Sequence, residues 1–128
     1  MYFDLLRRPD ILIISRPKFD GGFGRHYGVD FQDGNVVHFT SSGRIEFTTP
    51  EGFACGEDVA TERPVSGEKY LEIQERLRIA LMNPRPYQLG VWNCETFANW
   101  LTDGKATSFQ VLGVVALAAI AAVVAAAK

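Results

Sequence analysis

One cysteine and two histidines are the residues of this chain whose types and spacing suit nucleophilic chemistry. Cys94 follows Asn93, a favoured N-cap residue, and precedes Phe97, Ala98, Trp100 and Leu101 at helical spacing. The thiol is therefore expected in the first turn of a short helix that ends near Asp103-Gly104. It would there face unpaired backbone N–H groups and the positive end of the helix dipole, both of which favour the reactive thiolate. A lone cysteine at a helix start is more often a small buried hydrophobe. The chemistry depends on its partners.

A thiol nucleophile needs a base within hydrogen-bond reach and a third group that orients the base. His26 and His38, the two histidines of the chain, both fall in a stretch that reads as neighbouring strands. Their faces depend on the hairpin between them. A two-residue turn at Asp33-Gly34, the usual signal, makes pairing partners sum to 67 and puts the imidazoles on opposite faces. An odd-membered loop centred on Gln32 makes partners sum to 64 and sets His26 directly opposite His38, with Cβ atoms about 4.5–5.5 Å apart. The odd loop is the expectation here. A zinc site is the rival use of two histidines and a cysteine, but the usual tight ligand spacing is missing.

The positioning elements follow from pattern. Ile11 to Ser15 reads as a buried strand, and Phe19 to Arg25, with three glycines, as a loop without the features of a phosphate-binding P-loop. Strands are expected at His26–Phe31, Val36–Thr40 and Arg44–Thr48, forming an antiparallel meander. Pro50 to Gly67 reads as irregular, and it holds Cys55, for which no catalytic role is expected. A helix should run from Gly67 or Glu68 to Met82, with its Arg and Glu residues on a solvated face, and Asn83-Pro84 stops it.

With 128 residues the chain has room for one domain, and its formal net charge of −2 carries no basic block that would suit nucleic acid. Two cysteines are too few for a disulfide scaffold and are not a C-x-x-C pair. The first ten residues carry charges and lack the apolar core of a secretory leader, so a cytosol-facing domain is expected. Composition changes at the end: Val111 to Ala127 has no charged or polar side chain. Seventeen helical residues cover roughly 25 Å, near the ~30 Å hydrocarbon core once Ser108 to Gln110 are added. A single-pass membrane anchor over 108–128 is expected behind a domain over 1–107. Ala118, Ala122 and Ala126 form a small-residue stripe suited to helix self-association in a bilayer.

Several of these segments together resemble the lecithin:retinol acyltransferase-like family, which includes the HRAS-like suppressor phospholipase/acyltransferases. The resemblance rests on His26-Tyr27-Gly28-Val29, Val36-Val37-His38, and Asn93-Cys94-Glu95 with Phe97. It extends from Pro9-Asp10-Ile11 to about Gln110. It implies an α+β, permuted papain-like fold: a small antiparallel sheet packed on helices, with a C-terminal hydrophobic helix. It also implies that Cys94 is the nucleophile, His26 its base and His38 the group that orients His26. Thr96 departs from the family, where many relatives carry histidine.

The chemistry so implied is acyl transfer or hydrolysis through a Cys94 thioester, on a phospholipid or other acyl ester, without metal or organic cofactor. The backbone N–H of Cys94 would be the first oxyanion donor, and Tyr27 and Asn93 are candidates for the second. Two other functions fit the same residues. One is a cysteine amidase or peptidase; the other is a non-catalytic, membrane-tethered interaction module.

Overall fold

A computed structural model describes residues 8–18, 24–89, 91–107, 119–120 and 122–123. The chain is α+β, built on a five-stranded antiparallel sheet ordered β4-β3-β2-β1-β5. The strands are β1 (Ile11–Pro17), β2 (Arg25–Asp30), β3 (Val36–Phe39), β4 (Ile45–Thr48) and β5 (Ala60–Val65). Among the described residues the helices that accompany them are α1 (Pro50–Ala54), α2 (Tyr70–Met82, entered through a 3-10 turn at Gly67–Lys69) and α3 (Cys94–Asp103).

Alternation along the central strands sorts their side chains to two faces. Ile13 pairs with Val29 and Val29 with Val37, so these three share the face covered by α2 and α3. They join Phe39, Ile73, Leu77, Phe97 and Leu101 in the main core. Full burial of each such side chain contributes on the order of 1.5–3 kcal/mol. The opposite face is covered by α1, whose Phe53 packs with Ile14 and Val36. His26, Gly28 and His38 belong to this second face.

The hairpin joining β2 to β3 differs from the expectation in one respect. Observed pairs are Gly28↔His38, Val29↔Val37 and Asp30↔Val36, a sum of 66. The loop has an odd number of residues, but it is centred on Asp33, not Gln32. Phe31 N–H donates to the Asn35 carbonyl at 3.1 Å and closes the loop. Gln32 (φ 55) and Gly34 (φ 93) take left-handed backbone, and the Asp30 carboxylate accepts from Gln32 N–H at 2.8 Å. The turn is thus specified by side-chain acceptors more than by the Asp-Gly dipeptide.

The expectation that Pro50 to Gly67 is irregular is corrected. Thr49 caps α1 through its side chain, Pro50 starts the helix, and Cys55 ends it in left-handed backbone (φ 49). This is a helix start signal in its usual form, with proline at the first helical position. β5 follows as an edge strand on β1, which is why Pro64 is tolerated within it. On α2 the buried residues are Ile73, Leu77 and Ala80, while Leu71 and Leu81 are exposed. Arg76 leaves the solvated face: its guanidinium donates to the Leu101 and Thr102 carbonyls at 3.0 and 3.3 Å, supplying a cation at the end of α3.

The expected anchor, Val111 to Ala127, lies largely outside the described residues, as do Phe19 to Phe23 of the glycine-containing loop. Among the described residues no helix is long and apolar enough to cross a membrane.

Candidate active site

The first turn of α3 is built by a reciprocal cap. Asn93 Oδ1 accepts from Thr96 N–H at 2.9 Å, and Thr96 Oγ1 accepts from Asn93 N–H at 2.6 Å. Thr96 therefore fills the position usually taken by Glu or Gln in a capping box. The Asn93 amide also donates to the Leu89 carbonyl at 2.5 Å, tying the helix start to the turn before it. That commitment makes the Asn93 side chain a structural anchor for Cys94.

Cys94 is buried and meets β2 where β3 has left it. The β2–β3 ladder ends at Gly28↔His38, and beyond it the Arg25 carbonyl accepts from the Cys94 thiol at 3.7 Å. The Tyr27 N–H points at the same sulfur. The thiol thus flanks the backbone on both sides of His26. The Tyr27 side chain itself lies on the other face, against the main core, and burial pushes its hydroxyl up to about 12. Its contribution near the sulfur is the backbone N–H.

His26 and His38 share a face and touch. His26 Nε2 lies 2.7 Å from His38 Nδ1, with the rings near-perpendicular. They are diagonal neighbours, since His38 stands opposite Gly28. Phe53 fills the space above Gly28: it stacks on His26 and meets His38 edge-on, at ring separations of 5.6 Å each. Arg16, buried beside them, donates to the Phe53 carbonyl at 2.7 Å. A cleft of about 320 Å³ opens here, with Cys94, His26, His38, Arg16 and Lys18 in its walls.

Electrostatics oppose the thiolate expected from the helix start. Burial pushes the Cys94 thiol up, and this exceeds the lowering by the Tyr27 N–H, the Lys18 charge and the Glu95 N–H; the buried Glu95 carboxylate adds to the rise. Burial also brings His26 down to about 3, helped by His38, Arg16 and Lys18. His38 is lowered as well, by burial first, with Glu46 opposing. Desolvation is the largest cause for both rings and the thiol, ahead of the charges of Arg16, Lys18, Glu46 and Glu95 around them. The resting state is a neutral thiol and a neutral His26 imidazole in one cleft.

The structure brings Cys94, His26 and His38 to one cleft. It adds Phe53, Arg16 and Glu46, which the sequence reading did not single out. Phe53 was legible through the Thr49-Pro50 helix start; Glu46 and Arg16 carry no local signal, because strand pairing alone sets them beside the histidines. Among the described residues no group of three or more His, Cys, Asp or Glu is arranged to hold a metal ion. Compared with family models, curated proteins and solved structures, the chain matches none.

Proposed function

We propose that the chain is a cysteine-dependent acyl hydrolase or acyltransferase of the lecithin:retinol acyltransferase-like kind, with a permuted papain-like order of His, His, Cys. One observation carries this reading: the 2.7 Å His26–His38 contact lies in the same cleft as a thiol held at a capped helix N-terminus. The expected substrate is a phospholipid or other acyl ester. The apolar segment Val111 to Ala127 would hold the domain at the membrane that contains it.

The reaction starts from the neutral pair. As the Cys94 sulfur attacks the ester carbonyl, its proton passes to His26, and the tetrahedral oxyanion takes the Cys94 backbone N–H at the helix start. His26 then gives the proton to the leaving alcohol, which leaves a Cys94 thioester. Water or a second nucleophile, deprotonated by His26, releases the acyl group. His38 holds the His26 ring throughout.

Intact-mass analysis after exposure to phospholipid vesicles tests this directly. The expected result is an adduct of one acyl chain that maps to Cys94 and is missing in Cys94→Ser. Adducts confined to Cys55, or none on any ester substrate, would overturn it.

A second reading has its own support. The thiol pushed up by burial suits a non-catalytic, membrane-tethered module that keeps the fold. Such a module would acquire no acyl group on Cys94, so the same experiment separates the two. A cysteine amidase or peptidase would acylate from peptide amides and spare phospholipids.

A further inference from the structure

His38 has a second neighbour besides His26. In the β3–β4 ladder it stands opposite Glu46, and its Nε2 lies 3.7 Å from Glu46 Oε2. Its Nδ1 is the atom that meets His26 Nε2 at 2.7 Å. Among the described residues, the charged and titratable groups against His38 are Glu46 from β4, His26 from β2 and Arg16 from β1, with Lys18 and Cys94 in the same cleft, and Phe53 of α1 covers the ring. Of these, Glu46 is the anion, and it sits at Nε2.

Two neutral imidazoles joined by one hydrogen have two arrangements. In the first, His38 Nδ1–H donates to His26 Nε2. His26 then carries its hydrogen on Nδ1 and has no lone pair left for the thiol proton, while a His38 lone pair faces the Glu46 carboxylate. In the second, every hydrogen moves to the other nitrogen of its ring. His38 Nε2–H points at Glu46, His38 Nδ1 accepts from His26 Nε2–H, and His26 Nδ1 is free to act as base. A carboxylate at Nε2 attracts the N–H dipole and repels the lone pair, which separates the two forms.

We propose that Glu46 is a positioning residue that fixes the tautomers of both histidines, and so makes His26 Nδ1 the proton acceptor. Its functional meaning rests on the acyl-transfer reading, but the tautomer assignment stands by itself. The proton balance is simple. The Cys94 S–H bond breaks as the His26 Nδ1–H bond forms, giving a His26 imidazolium whose Nε2–H stays bonded to neutral His38. That Nδ1 proton later leaves with the alcohol. Glu46 touches no reacting atom and keeps its charge throughout.

Long-range hydrogen–nitrogen correlation spectra of the full chain with labelled imidazoles test the proposal near pH 7. The expected result is a hydrogen on Nε2 of both rings and unprotonated Nδ1 on both. A hydrogen on Nδ1 of either ring in the wild-type protein overturns it. Glu46→Ala should mix the two forms, and Glu46→Lys should invert them, since a cation prefers the Nε2 lone pair. A Glu46→Ala spectrum identical to wild type also overturns it. Acylation of Cys94 should slow by about tenfold in Glu46→Ala with KM unchanged. Wild-type tautomers as stated, but no acyl adduct on any ester, would remove the acyl-transfer reading and leave the Glu46 assignment intact.

Discussion

Gly28 stands directly opposite His38, and the missing side chain at that position is what lets Phe53 settle over Gly28 and against both imidazoles. A Cβ at residue 28 would lie 2.7 Å from Phe53 Cε2 and 3.1 Å from Cζ. The Phe53 ring is 1% exposed and has little room to retreat. Gly28→Ala should therefore cost about 1–3 kcal/mol through overpacking. Urea unfolding measures this, and a midpoint equal to wild type would show that Phe53 does not brace the histidines. Adding Phe53→Leu should recover part of the loss.

The cap of α3 should behave as a coupled pair. Asn93→Ala removes the acceptor for Thr96 N–H and the bond to Leu89, at a cost on the order of 1–2 kcal/mol. Thr96→Val removes the reciprocal half. Because the two residues serve one another, the double variant should lose at least ~0.5 kcal/mol less than the two single losses added together. Simple additivity would show two independent contacts and no capping box.

Stability should fall in mild acid. His26 is held at about 3 in the fold, against an ordinary 6.5. Between those values the unfolded chain binds a proton that the folded chain refuses, so stability is full above pH 6.5 and declines as pH drops below it. From pH 7 to pH 5 the loss is on the order of 1–2 kcal/mol for this group, the lower end applying to a ring that keeps some solvent contact. His38 is lowered too and adds in the same direction. Urea unfolding at the two pH values checks the sign, and His26→Ala should flatten most of the slope.

What the sequence shows most clearly here is local. Asn93 before Cys94 marked the start of α3, Gly104 (φ 76) its end, and both are capping signals within a few residues. The shared face of His26 and His38 followed from the parity of one loop. Their actual contact did not: a two-residue shift in register turned a directly opposed pair into a diagonal one, because Asp30 and Asp33 side chains set where the turn falls. β5 was illegible because Ala60 to Val65 carries no apolar alternation, and its ladder partner lies some fifty residues back in β1. The thiol's partners were out of reach, since they come from β2, far back in the chain, as well as from α3 itself.

That enclosure decides how Cys94 should react. A thiol raised by burial, in the same cleft as an imidazole that stays neutral, forms no resting ion pair. With a small alkylating reagent, Cys55, which is exposed, should be modified first. Cys94 should be slow near neutral pH, and its rate should keep climbing past the ordinary thiol range, because only the thiolate attacks. Peptide mapping of labelled protein across pH 5 to 10 resolves the two cysteines. A flat, fast rate at Cys94 from pH 5 to 8 would reveal a thiolate–imidazolium pair and contradict the neutral resting state. His26→Ala should leave alkylation of Cys94 nearly unchanged while removing acylation by ester. That separation is expected because the reagent needs only the thiolate, whereas the ester needs a proton taken and then returned.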